Sequence, residues 1–251
     1  SSGFWKKSRS RNVKIFAIAD LHLSFHENID KPMSIFGAGW EDYEKRLSDY
    51  WHELISPEDV VILPGDLSWG LSLEEALPDL EWIHRLPGRK VLLKGNHDLW
   101  WSRITYLNTL YEDIHFLQND CVLLTEEETG GERIAICGSR GWVLPGSDDF
   151  TEHDRKIWTR ELGRMRNSLN AAMKSSPDRI IAALHYPPAE MARKESDMTA
   201  LLREYPVTDC VYGHLHGMHA FEKGIKYEQE GIRYYLTSLD YLGGRPKQIW
   251  G

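Results

Sequence analysis

The chain has 251 residues, 41% of them hydrophobic and 27% charged, and a net charge of −8. That length supports one large α/β core or two small ones without disulfide or metal staples. The acidic balance counts against a dedicated nucleic-acid binder, which ordinarily presents a basic face, and no run approaches the roughly 18 apolar residues of a membrane span.

In chain order, the opening "SSGFWKKSRSR" is basic and polar, with neither the apolar stretch of a signal peptide nor an initiator Met. Residues 1–11 are expected to be a disordered or cloning-derived tail, and residues 12–251 a single domain. "VKIFAIAD" (13–20) reads as a buried strand. Trp40, Tyr43, Leu47, Tyr50 and Leu54 then step by three or four, as on an amphipathic helix. "DVVILPGD" (59–66) is a second strand. Ser72 and Glu75 have capping-box spacing ahead of Leu73, Leu77, Leu80 and Ile83, with Pro78 expected to kink that helix or delay its start. "KVLLKGNHD" (90–98) is a third strand. "CVLLTEEETGGERIAICG" (121–138) predicts a β-hairpin turning at Gly130-Gly131, the Glu126–Glu128 run being its solvated end. Trp158, Leu162, Met165, Leu169 and Ala172 predict a long helix. "RIIAALHYPP" (179–188) and "DCVYGHLH" (209–216) are further strands, and 226–242 a second hairpin about Gly231. Near-continuous apolarity in the strands implies cover on both faces. Cys121, Cys137 and Cys210 are far apart and form no CxxC pair, so buried free thiols and a reducing, cytoplasmic location are expected.

The five buried runs end alike. Asp20-Leu21-His22, Gly65-Asp66, Gly95-Asn96-His97-Asp98, His185-Tyr186 and Gly213-His214-Leu215-His216 each place Asp, Asn or His at a C-terminal strand end. In open α/β sheets such ends converge on the ligand crevice. In an extended segment residues i and i+2 point the same way, so Asp20 with His22, and His214 with His216, are each expected to reach one ion. Gly65, Gly95 and Gly213 are expected to let the backbone turn. Asp20, His22, Asp66, Asn96, His185, His214 and His216 exceed the needs of one ion. Two ions sharing a bridging carboxylate would use them all, and N/O ligation without thiolate suits Mn, Fe, Zn or Co, Mn being favoured. His26, His52, His84, His115, His153 and His219 lack this context and are read as ordinary histidines.

The order D-x-H, G-D, G-N-H-D, H, G-H-x-H resembles the calcineurin-like metallophosphoesterase family over residues 13 to about 240. The resemblance implies an α/β fold, a four-layer αββα sandwich of two mixed β-sheets flanked by helices, with a dinuclear centre at strand ends. Carried over by position, one ion would take Asp20, His22, Asp66 and His216, and the other Asp66, Asn96, His185 and His214, Asp66 bridging. His97 would act as acid or transition-state stabiliser, with Asp98 orienting it. Two ions roughly 3.5–4 Å apart clamp a phosphoryl group and activate a shared water, whose hydroxide attacks phosphorus.

Departures narrow the subfamily. "GDLSWG" and "GNHD" differ from the G-D-x-V-D-R-G and G-N-H-E of protein Ser/Thr phosphatases. Trp69 stands where purple acid phosphatases have a Tyr ligand, and His97 where the lipid A pathway enzymes usually have Arg. The whole is most similar to a bacterial subfamily known as predicted phosphohydrolases. It implies a soluble enzyme cleaving phosphomonoesters or phosphodiesters of a small molecule. A DNA-repair-type nuclease is the second reading, opposed by the acidic balance; a non-catalytic metal-bound scaffold is the third, opposed by the presence of His97. In "GSRGWVLPGSDDF" (138–150), Arg140 is a candidate phosphate clamp and Trp142 a candidate stacking surface, against an ordinary salt bridge and core packing.

Overall fold

Strand residues in this chain alternate between two cores, and that alternation builds the layers. The computed structural model describes residues 12–251; the expected tail lies outside the described residues. The elements run β1 (Ile15–Ala17), α1 (Tyr43–Leu54), β2 (Val60–Leu63), α2 (Leu73–Arg85), β3 (Arg89–Leu92), α3 (Ile104–Leu107), β4 (Ile114–Phe116), β5 (Cys121–Leu124), α4 (Glu126–Thr129) and β6 (Ile134–Ser139). They continue α5 (Glu152–Met173), β7 (Arg179–Leu184), α6 (Asp197–Arg203), β8 (Val207–Tyr212), α7 (Met218–Lys223), β9 (Tyr227–Gln229), β10 (Ile232–Leu236) and β11 (Lys247–Trp250).

Two sheets form, in the orders β11-β1-β2-β3-β4 and β5-β6-β7-β8-β10-β9. Antiparallel edge strands (β11; β5 and β9) flank the parallel remainder, so both sheets are mixed. Ile15, Ala17, Val60, Ile62 and Val91 of the first sheet meet Ile134, Ile136, Ile181, Ala183 and Val211 of the second in an inner core. The intervening Phe16, Val61, Leu63 and Leu92 pack outward against Leu47 and Trp51 of α1 and Leu80 and Ile83 of α2. On the far side Ala135, Cys137, Ala182 and Cys210 pack against Trp158, Met165 and Leu169 of α5 and Leu202 of α6. The expected αββα sandwich is the fold found. Each fully buried Val, Leu, Ile, Phe or Met among them contributes about 1.5–3 kcal/mol before entropy is charged against it.

Several local readings change. Trp40 lies in a 3-10 turn (Ala38–Trp40) ahead of α1, whose buried stripe is Tyr43, Leu47 and Trp51. Tyr50 is half-buried, its ring facing Arg245. α2 starts at Leu73 on its Ser72 cap and continues past Pro78, so the proline does not delay it; Ala76, not the exposed Leu77, fills the stripe. The first hairpin forms as expected, with Cys121 opposite Cys137, but α4, one helical turn capped by Thr125 and Glu128, replaces a Gly-Gly turn. Glu128 is not a free solvated end, since it pairs with Arg89 at 2.6 Å. The second hairpin, β9–β10 about Gly231, forms as expected. The three cysteines are free thiols, Cys137 and Cys210 buried and Cys121 half-buried.

Candidate metal centre

All seven candidate ligands meet where the parallel strands end. The segments beyond β1 and β10 join there, Ala19 bridging Ser238 and donating its N–H to Thr237, so the two sheets share one rim. The rim is tightly packed. A Cβ on Gly95 would overlap Asp66 Oδ1, and one on Gly213 would overlap Asp20 Oδ2. Of the three motif glycines only Gly65 has a positive φ (+91°), so Gly95 and Gly213 are required for close approach rather than for turning.

The ligand residues carry the strain instead. Asp20, His22, Asp66 and His214 have φ of 62°, 45°, 55° and 71°. Such left-handed conformations in non-glycine residues cost roughly 1–3 kcal/mol each and cluster at functional sites. They also overturn the extended i, i+2 geometry expected for these pairs. Asp20 and His22 still converge, with Oδ1 and Nε2 3.9 Å apart. His214 and His216 diverge, because the left-handed turn at His214 breaks the strand alternation.

Two groups result. In the first, Asp20 Oδ1 lies 3.4 Å from His216 Nε2, and the Nε2 atoms of His22 and His216 are 3.4 Å apart. In the second, His185 Nε2 lies 2.7 Å from Asn96 Oδ1, and His214 Nδ1 is 3.1 Å from the same amide oxygen and 3.3 Å from His185 Nε2. Asp66 stands between them, a single oxygen, Oδ2, being 3.8 Å from His22 Nε2 and 3.4 Å from His185 Nε2. Asp20 and Asp66 are buried, and Asp20 Oδ1 accepts no hydrogen bond. A buried carboxylate oxygen without a donor, facing imidazole nitrogens, fits a cation. The residues present therefore suit divalent metal.

Electrostatics agree. Burial opposes ionisation of Asp20 and Asp66, but neighbouring imidazoles, His216 beside the first and His185 beside the second, hold both carboxyls below the usual range. Burial also opposes charge on His185 and His216; Asp66 nevertheless pushes His185 up to about 9, and the nearby Asp20 and Asp240 carboxylates push His216 up to about 10. His22 and His214 are lowered to about 4, chiefly by burial.

The surrounding residues sort themselves by what they touch. His97 is exposed at the mouth; its N–H donates to Asp66 Oδ1 at 2.9 Å, and its ring lies 4.6 Å from that of Trp69. Asp98 does not orient His97. Its oxygens accept the N–H groups of Asp66, Leu67, Ser68 and Gly95 and the Trp100 indole, which fixes the turn carrying Asp66 against the turn carrying Asn96. Being fully buried, it points inward while His97 points out. Arg140 reaches Glu161 at 3.6 Å and stacks on Trp142, its Cζ 4.5 Å from the ring centre. Trp142 donates to Asp154 and packs on Tyr186, whose ring lies 4.2 Å from that of His214. The ordinary salt bridge and packing are thus present, on a wall that runs directly from a candidate ligand. Asp240 escapes the sequence reading, which gives Trp69 no role beyond replacing a Tyr ligand. Asp240 accepts from His216 Nδ1 at 3.0 Å; it follows β10, a sixth strand end to which the same rule applied. Trp69 stacks on His22 at 4.8 Å. His84 and His115 pair with Asp113 and Asp120, the ordinary role expected of them.

Among the described residues no helix is long and apolar enough to cross a membrane. By sequence, a mycobacteriophage Gene 66 protein is 30% identical over 38% of this chain and 52% of its own length. The chain spans about half the length of the curated relatives it matches. By structure, phosphopantetheinyl hydrolase from Mycobacterium tuberculosis aligns over 95% of this chain and 96% of its own, with 14% identity and a TM-score of 0.58. Calcineurin-like phosphoesterase YfkN from Bacillus subtilis aligns over 91% and 82%, with 14% identity and a TM-score of 0.51. At such identity these two show the shared fold. The family model for calcineurin-like phosphoesterases matches residues 13–218, and with the Asp/His groups at the strand ends it leads to one conclusion: the chain belongs to the calcineurin-like phosphoesterase family.

Proposed function

We propose that residues 12–251 act as one unit that hydrolyses phosphomonoesters or phosphodiesters of a small soluble molecule, in the cytoplasm, using two divalent ions, with manganese favoured. The carrying observation is Asp66, whose Oδ2 lies between the two ligand groups, 3.8 Å from His22 and 3.4 Å from His185. Asp20, His22, Asp66 and His216 would hold one ion, and Asp66, Asn96, His185 and His214 the other. Such ions, when bound, supply Lewis acidity toward the phosphoryl oxygens and lower the pKa of water.

The side chains do the rest. His185 donates Nδ1–H to Pro64 O at 2.8 Å, which leaves Nε2 free to face the site. Asp240 does the same for His216. His97, exposed beside Trp69, is placed to give a proton to the leaving oxygen; Asp98 serves by holding the Asp66 and Asn96 turns in register. Arg140 and Trp142 form a wall of the substrate cleft.

Elemental analysis after loading should give close to two ions per chain. Hydrolysis of bis(p-nitrophenyl) phosphate against p-nitrophenyl phosphate, metal by metal, separates diester from monoester preference. One tight ion, unaffected by Asp66→Asn, would overturn the dinuclear reading.

A further inference from the structure

A histidine that binds a metal through one ring nitrogen is ordinarily held in place by a hydrogen bond from the other. His185 and His216 follow that rule, their Nδ1 atoms meeting Pro64 O at 2.8 Å and Asp240 Oδ1 at 3.0 Å. His22 does not. Its Nε2 faces Asp20, Asp66 and His216, but its Nδ1 is buried without a hydrogen-bond partner. The backbone beneath it is strained as well, with φ of 45°. A strained residue keeps its conformation only where its surroundings fix it.

Round the His22 ring the surroundings are aromatic. Trp69 lies nearly parallel to it, 4.8 Å away and inclined by 24°, whereas Trp40 meets it edge-on at 6.0 Å. Trp69 is itself well fixed. Its backbone N–H donates to Leu23 O at 2.9 Å, which ties it to the residue next to His22. Its indole N–H donates to the Met33 sulfur at 3.4 Å, and Lys31 Nζ lies 5.5 Å from the ring centre. The indole packs against the outer core of the first sheet, yet it is only half-buried. Its ring contacts among the described residues are both site histidines, His22 and, at 4.6 Å, His97. Core packing alone would call for an aliphatic partner and no such alignment.

We propose that Trp69 is the positioning residue for His22, ring stacking taking the place there that a hydrogen bond takes at His185 and His216. The inference rests on the reading of His22 as a metal ligand. Stacking needs a flat ring and neither donor nor acceptor. A phenyl ring at position 69 should therefore serve, and an aliphatic side chain should not.

The test compares Trp69→Leu with Trp69→Phe. In competitive chelator titration of the manganese-loaded proteins, Trp69→Leu should weaken one ion about tenfold and leave the other within about twofold, and Trp69→Phe should stay within about threefold of wild type at both. No weakening in Trp69→Leu, equal weakening of both ions with a lowered Tm, or a loss in Trp69→Phe as deep as in Trp69→Leu overturns the proposal and leaves Trp69 as packing. If the wild type binds fewer than two ions, the dinuclear reading fails, and crystal structures of the metal-free variants decide the positioning alone. A His22 ring turned by more than about 30° in Trp69→Leu and unmoved in Trp69→Phe supports it; a ring unmoved in both, or displaced in both, overturns it.

Discussion

The two halves of the centre are built differently. The Asn96–His185–His214 half is built round one anchored ring: His185 is fully buried and bonded to a backbone carbonyl, and its Nε2 already meets the half-buried Asn96 and His214 within 3.3 Å. The Asp20–His22–His216 half opens to solvent through His216, whose side chain is 35% exposed and is steered by Asp240. It is walled by aromatic rings, Trp69 stacked on His22 and Trp40 within 6.0 Å of both histidines. The His185 half is set by one backbone anchor, Pro64 O, before any ligand arrives. The open half depends on one exposed imidazole and a carboxylate behind it. The lesson is that equal ligand counts need not mean equal rigidity.

The severest way to break the contrast is Asp66→Asn, which removes the carboxylate common to both halves. Metal content should fall at both positions and turnover by about 10⁴-fold or more, since groups acting as a unit fail together. Retention of one full equivalent would show that the halves are independent. His97→Ala should touch neither half: two ions stay, and the rate drops about 10²–10⁴-fold, most for poor leaving groups. Equal loss across leaving groups would remove His97 as proton donor. Asp240→Asn should loosen only the open half, weakening one ion by about 10–100-fold on the scale of lost supporting hydrogen bonds; competitive chelator titration should show one weakened step, and two would erase the distinction.

The gentlest test is pH on the metal-free protein. His185 and His216, raised to about 9 and about 10 from 6.5, contribute stability that is complete below pH 6.5 and is lost as pH rises through 9 to 10. His22 and His214, lowered to about 4, contribute stability present above pH 6.5 and lost as pH falls toward 4. Tm should therefore decline on both sides of neutrality, and His185→Asn should flatten the alkaline limb. An alkaline limb identical in the variant would mean that imidazolium at His185 does not hold the empty centre together.

What the sequence determined by itself was the layering and the cast of the site. Strand periodicity of two puts Ile15 and Phe16, or Ile136 and Cys137, on opposite faces whatever the partner, so strands covered on both faces follow from local pattern, while the division into two sheets was implied by the family resemblance. Polar residues at strand ends, Asp20, Asp66, Asn96 and His185 among them, announce themselves because nothing in a buried run requires them. Only the tertiary structure decided which residues act together. The strand-end turns adopt left-handed backbone, so the split between His214 and His216 obeys no sequence period. Asp98 faces inward because five N–H groups from separate turns need an acceptor there, a demand invisible from its neighbour His97. Asp240 reaches His216 from 24 residues away. Those relations depend on how strand ends meet in space, and chain order carries no record of that distance.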